Sequence, residues 1–218
     1  KKKKKINMDL QKKLISNLNF ELTDDQNETI EQINDDISSN KKMFRLLQGD
    51  VGSGKTIVAL MAAYNVINSG YQVALLAPTE ILARQHYLLT KKIFSSNLKI
   101  QILSSKAKTK DKNKILNDLI DNKIDILIGT HAIFQKKIKF NNLGLVIIDE
   151  QHKFGVNQRK KLSDKGGDNC DVLLMSATPI PRTLTMTIYG DMDLSIIREK
   201  PKFRKQVKTY SKLDSKID

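Results

Sequence analysis

The residues Gly49-Asp50-Val51-Gly52-Ser53-Gly54-Lys55-Thr56 follow the spacing G-x-x-x-x-G-K-[ST], that of a loop wrapped around the phosphates of a nucleotide. Gly52 and Gly54 allow the backbone to approach an anion closely. Lys55 is suited to reach the β- and γ-phosphates of ATP as a point charge, and the Thr56 hydroxyl to hold a Mg²⁺ ion that bridges them. The flanks supply what such a loop needs. Phe44-Arg45-Leu46-Leu47-Gln48 is a mostly apolar run suited to a buried parallel strand. Ile57 to Ser69 is apolar and rich in helix formers, with Gly70 as its C-cap. Strand, loop and helix N-terminus aim several backbone N–H groups and the positive end of a helix dipole at one point. An ordinary glycine-rich turn is the competing reading, and it fits this strand-loop-helix context less well.

A second cluster lies almost a hundred positions later, where Leu145-Val146-Ile147-Ile148 runs into Asp149-Glu150-Gln151-His152. A carboxylate at the end of a central strand lies close to a phosphate loop, so Asp149 can bind Mg²⁺ directly or through a water. Glu150 can orient and deprotonate the water that attacks the γ-phosphate. The alternative is a pair of acidic residues in a surface turn.

Weaker signals surround these two. In Phe20-Glu21-Leu22-Thr23-Asp24-Asp25-Gln26, Thr23 can cap a helix running through Ile30, Ile33 and Ile37. The same stretch suits adenine recognition, with the Phe20 ring to stack and the Gln26 amide to read the base edge. Both readings stay open. The three histidines, His86, His131 and His152, lack the i, i+4 pairing of a helical zinc site. His86 is expected to pack on its own helix. Thr130-His131 and Gln151-His152 read as hydrogen-bonding groups.

The elements that must position these residues alternate strand and helix with short connections, the pattern of an α/β fold with a doubly wound parallel sheet. Strands are expected at Phe44 to Gln48, Val73 to Ala77, Lys99 to Leu103, Ile124 to Ile128, Leu145 to Ile148 and Val172 to Met175. Pro78 and Thr79 open a helix carrying Ile81, Leu82, Leu88, Leu89 and Ile93. Lys106 to Lys114 reads as a basic, solvated connection before a helical face of Ile115, Leu116, Leu119 and Ile120. Every unusual polar cluster falls at the carboxyl end of a strand, where ligands gather in open parallel sheets.

The chain has 218 residues and a formal net charge of +14. That balance favours an anionic partner such as nucleic acid or a membrane surface. Lys1 to Lys5 is an unpatterned run and reads as a disordered tail or linker. Cys170 is the only cysteine, expected to be small and semi-buried, so an internal disulfide is excluded and a reducing compartment is the natural setting. No stretch approaches the ~18 consecutive apolar residues of a membrane span.

Gly49 to Thr56 together with Asp149 to His152 resembles the superfamily 2 helicases and translocases of the DExH type. The longer strings Leu47 to Thr56, Asp149-Glu150-Gln151-His152-Lys153-Phe154-Gly155-Val156 and Ser176-Ala177-Thr178-Pro179-Ile180-Pro181-Arg182-Thr183-Leu184 resemble its RecG branch. The transcription-repair coupling factors share much of this pattern and are the nearest alternative. The resemblance implies a RecA-like lobe that uses ATP and Mg²⁺ to move along branched or forked DNA, such as stalled forks and Holliday junctions. It further implies that Gln26 and Phe20 belong to an adenine-reading segment. Pro78-Thr79-Glu80 and Gly129-Thr130-His131 would touch the DNA backbone, where hydroxyls and helix N-termini at strand ends are ready phosphate binders. Ser176-Ala177-Thr178 would couple nucleotide state to DNA grip, Gln151 and His152 would assist across a cleft between lobes, and Arg182 would also face DNA.

The pattern departs from the family at Lys153, usually Arg, and at Lys202-Phe203, where Pro-Gly is expected. Residues 1–19 read as a basic tail and lead-in helix, 20–200 as the ATP-binding lobe, and 201–218 as a linker. The resemblance places a wedge domain and a second RecA-like lobe elsewhere in the parent chain. Its setting is the bacterial cytoplasm or a DNA-containing organelle. Two readings from other classes stand beside the motor. One is a non-catalytic ATP- and DNA-binding module, and the other a phosphate-loop ATPase unrelated to nucleic acid.

Overall fold

A computed structural model of the chain describes residues 1–94, 98–104, 107–149, 167–178 and 192–199. Among the described residues seven strands form one sheet in which every neighbouring pair is parallel. They are β1 (Phe44–Gly49), β2 (Gln72–Leu76), β3 (Ile100–Leu103), β4 (Ile126–Gly129), β5 (Leu143–Ile148), β6 (Asp171–Ser176) and β7 (Asp193–Ile197), in the order β3-β4-β2-β5-β6-β1-β7. Among the described residues five α-helices accompany them: α1 (Met8–Ser16), α2 (Asp24–Ser38), α3 (Lys55–Asn68), α4 (Glu80–Phe94) and α5 (Thr109–Ile120).

The central strands are mostly apolar because both of their faces are covered. Alternate residues feed two separate cores. Leu47, Val73, Leu75, Ile126, Ile147 and Leu173 join a layer containing residues of α2, α3 and α4. Their neighbours Leu46, Ala74, Leu76, Leu127, Val146 and Leu174 join the opposite layer, with Leu119 of α5. This period-two division is the pleat read out as packing. Helix α3 is buried almost all round, from Ile57 through Ala63, because it is sandwiched between the sheet and α2. Its sequence therefore has no polar face.

Several expectations need correction. Lys1 to Lys5 is not a loose tail. The Lys4 ammonium, wholly buried, lies 2.7 Å from one carboxylate oxygen of Asp171, and that of Lys1 lies 2.8 Å from the other. Asp171 is itself fully buried at the start of β6 and also accepts from the Met43 N–H at 2.8 Å. A carboxylate removed from water needs such partners, and the lysine run is what supplies them. Cys170 is completely rather than partly buried.

Helix α5 begins at Thr109, so much of the supposed basic connection is its first turns. Ile81 and Leu88 of α4 do not face the core and are 73% and 57% exposed. Strand β7 is a further element. Its edge position is fixed by Ser195, which donates to Gln32 Oε1 and accepts from Arg45, and by Asp25, which accepts from the Arg198 and Glu199 N–H groups.

Candidate nucleotide and nucleic-acid site

Strand β1 delivers the chain into the glycine loop at Gly49, and α3 starts at Lys55. Gly52 and Gly54 both adopt positive φ, 81° and 87°, a region that side-chain-bearing residues enter only at a cost. At Gly49 a Cβ would meet Ser53 Oγ at 2.6 Å and the Ile197 carbonyl at 2.8 Å. The loop is thus folded tightly against the end of the sheet. The first N–H groups of α3 have no acceptor within the helix by its geometry, and the helix dipole adds positive potential there.

Lys55 Nζ donates to the carbonyls of Gly49 and Asp50, at 2.5 and 2.9 Å. Those bonds hold the ammonium within the loop. Ser53 is 1% exposed, and its hydroxyl is buried with no hydrogen-bond partner among the described residues. Positive-φ glycines, an inward ammonium, an orphaned hydroxyl and a helix N-terminus together form a donor set that fits a polyphosphate.

Gln26 links this loop to α2. Its carbonyl oxygen accepts from the Thr23 N–H at 3.0 Å, completing a capping box, while its amide nitrogen donates to the Ser53 carbonyl at 2.8 Å. Both ends of the amide are therefore engaged within the protein. Phe20 is partly buried against the α2–α3 core layer.

Strand β6 lies between β1 and β5, and all three run the same way. Asp149, immediately after β5, therefore emerges on the same rim as the glycine loop, about 10 Å away by strand spacing. Its N–H continues the ladder to the Leu76 carbonyl at 2.8 Å. Its carboxylate oxygen Oδ2 lies 2.7 Å from Nε2 of His86, with the two side chains 14% and 9% exposed. His86 does not merely pack on α4, as its sequence context suggests. Because β2 and β5 are neighbours, the first two turns of α4 lie beside Asp149. That adjacency, invisible locally, is the signal that would have found the contact. Between the two loops, Ser176 ends β6, and its hydroxyl is 2.9 Å from that of Thr178, with Ala177 between them.

On the other side of Asp149, Pro78-Thr79-Glu80 follows β2 and Thr130-His131 follows Gly129 at the end of β4. Thr79 caps the start of α4, accepting from the Leu82 N–H at 3.3 Å through its hydroxyl. Thr79 and His131 line one groove of about 360 Å³, to which Lys112 and Lys137 also contribute. Glu150, Gln151, His152 and Arg182 lie outside the described residues.

Among the described residues no group of three or more His, Cys, Asp or Glu side chains could hold a metal ion by itself. Mg²⁺ needs no such cage, since it is commonly bound by one or two protein oxygens together with phosphates and water. Thr56 and Asp149 supply a hydroxyl and a carboxylate of the right chemistry on one rim. Among the described residues no helix is long and apolar enough to cross a membrane.

A DEAD/DEAH box helicase family model matches residues 23–187. The chain is 48% identical over 209 residues to the ATP-dependent DNA helicase RecG of Borreliella burgdorferi, covering 95% of this chain and 30% of that protein. It is 51% identical over 199 residues to the RecG of Bacillus subtilis, covering 91% of this chain and 29% of that one. The chain thus spans under a third of the length of these relatives. A solved RecG bound to a three-way DNA junction superposes with a TM-score of 0.83 at 44% identity, over 94% of this chain and 27% of that one. The UvsW helicase of bacteriophage T4 is 17% identical with a TM-score of 0.63, over 91% and 70% of the two chains, a likeness of fold.

Proposed function

Since the chain belongs to the DEAD/DEAH box helicase family, we propose that it is the ATP-binding lobe of a RecG-type DNA helicase, one that remodels branched DNA in recombination and repair. The observation that carries this reading is the shared rim: the glycine loop after β1 and Asp149 after β5 open on the same edge of a parallel sheet, with β6 between them. The high identity to RecG relatives and the +14 charge support DNA as the partner. A second RecA-like lobe and a wedge domain belong to the rest of the parent protein, in a reducing, DNA-containing compartment.

The chemistry that a bound Mg²⁺ would supply here is neutralisation of phosphate charge. Thr56 and Asp149 are the residues that would hold it. Lys55, released from the Gly49 and Asp50 carbonyls, would bind the γ-phosphate. The Ser53 hydroxyl and the first N–H groups of α3 would orient the polyphosphate. Glu150 would take a proton from the attacking water, and Gln151 and His152 would assist from beside it. The groove holding Thr79, Thr130 and His131 would carry one DNA strand by its backbone, with Pro78, Glu80, Gly129 and Arg182 contributing. Ser176, Ala177 and Thr178, which follow β6 between the glycine loop and Asp149, would couple nucleotide state to DNA grip.

The complete protein provides the test. Glu150→Gln should leave ATP affinity within about twofold while abolishing fork-stimulated turnover by about 10²-fold or more. Undiminished turnover in that variant would refute the assignment of the base. ATP binding and salt-dependent DNA binding with no turnover by the unmutated protein would instead identify a clamp rather than a motor.

A further inference from the structure

We propose that His86 is the positioning residue of the Asp149 carboxylate, fixing which oxygen that group presents to the Mg²⁺–nucleotide complex. The inference rests on Asp149 being the acidic hold on Mg²⁺. Its starting point is the 2.7 Å contact between His86 Nε2 and Asp149 Oδ2, at the short end of the range for a hydrogen bond to an ionised acceptor. A carboxylate has no proton to give, so Nε2 carries the hydrogen and donates it.

Both partners are held from behind. His86 is 7% exposed on the buried side of α4, one turn after Ala83 at 2% and one turn before Thr90 at 0%. The Thr90 hydroxyl donates to the His86 carbonyl at 2.6 Å. Across the contact, the Asp149 N–H is tied to the Leu76 carbonyl of β2. The Asp149 backbone is thus fixed by the sheet, and rotation of its carboxylate by the imidazole. With Oδ2 engaged, Oδ1 is the oxygen left for another partner.

Partners that orient a metal-binding carboxylate typically change metal affinity by about ten- to a hundredfold when removed. The experiment is therefore a Mg²⁺ titration of fluorescent ATP-analogue binding to the complete protein. It compares the unmutated protein with His86→Ala, His86→Gln and Asp149→Ala, each first checked for an unchanged melting curve. His86→Ala should raise the half-saturating Mg²⁺ concentration about tenfold or more, with nucleotide affinity in excess EDTA unchanged. His86→Gln, which keeps an N–H donor, should recover a substantial part of that loss, a rescue that a packing role would not give. If Asp149→Ala shifts the Mg²⁺ midpoint but His86→Ala does not, the positioning role is overturned. It is equally overturned if Gln restores nothing. A midpoint unmoved by Asp149→Ala would overturn the underlying assignment of Asp149 itself.

Discussion

Gln26 Nε2 donates to the Ser53 carbonyl at 2.8 Å while Gln26 Oε1 accepts from the Thr23 N–H, so one buried amide joins the cap of α2 to the glycine loop. Gln26→Ala removes the side-chain half of the capping box, a hydrogen bond worth ~1 kcal/mol, and leaves the backbone N–H bonded to Thr23. It also strips a partner from a buried carbonyl, worth a further ~1–3 kcal/mol. Both a lower unfolding midpoint in urea and weaker ADP binding are expected. Gln26→Glu keeps the oxygen that accepts from Thr23 but loses the donor to Ser53. With a buried carboxylate oxygen now facing the Ser53 carbonyl, it should weaken ADP binding and cost at least as much stability as the alanine variant. Calorimetric titration showing unmutated affinity in both variants would refute the bracing of the loop by Gln26.

Gly54, which follows Ser53, also faces that amide. A Cβ there would lie 2.2 Å from Gln26 Nε2, at a φ of +87°. Gly54→Ala therefore carries two penalties: ~1–2 kcal/mol for the left-handed backbone and the displacement of Gln26. Only the second disappears when Gln26 is already Ala. A double-mutant cycle should show Gly54→Ala costing less in the Gln26→Ala background, with a coupling of ~0.5–3 kcal/mol. Strict additivity in urea unfolding would mean that the two side chains do not compete for one space.

The buried cluster of Lys1, Lys4 and Asp171 makes a prediction about stability. Asp171→Asn leaves the Lys1 and Lys4 ammonium groups facing each other without their anion and should cost ~3–5 kcal/mol. Burial holds the Lys4 ammonium below its ordinary pKa, against the opposing pull of Asp171. The folded state then binds protons less tightly than the unfolded chain between the lowered value and 10.5. Stability should accordingly rise with pH across that alkaline window. Lys4→Met should flatten the rise, and urea midpoints measured at successive pH values will show whether it does.

The first six strands and the strand–glycine loop–helix unit were legible in the sequence, each for its own reason. A strand covered on both faces must be mostly apolar, and a tight loop between strand and helix must carry glycines where φ is positive. Strand β7 was not legible, because Asp193-Leu194-Ser195-Ile196-Ile197 sits at an edge and is held by Arg45, Gln32 and Asp25, all remote in sequence. The role of the lysine run was hidden similarly, since its partner Asp171 lies 167 residues beyond Lys4. His86 shows the same limit within the site. A helix-face periodicity predicts that it is buried but says nothing of which strand end it meets.

Cys170 offers a probe of the fold as a whole. It is the only cysteine in the chain and is fully buried at the start of β6. Burial pushes its thiol up to about 12, outweighing the favourable influence of Lys42 and Lys4. At pH 8 the folded thiolate fraction is then only about one part in 10⁴, against roughly a tenth for an exposed thiol titrating near 9. Reactivity follows the thiolate and its access, so modification by a disulfide reagent should be slow in the native protein. It should accelerate by about 10³-fold or more once urea passes the unfolding midpoint. The same displacement fixes a sign. A folded thiol that holds its proton more tightly than the unfolded one makes this group's contribution to stability fall as pH rises from about 9 towards 12. Cys170→Ala should remove that fall while opening a small cavity that costs ~1 kcal/mol. Rapid labelling of the native protein at pH 8 would contradict both the burial of Cys170 and the tight packing of β6 between β1 and β5, and with it the rim on which the glycine loop and Asp149 stand.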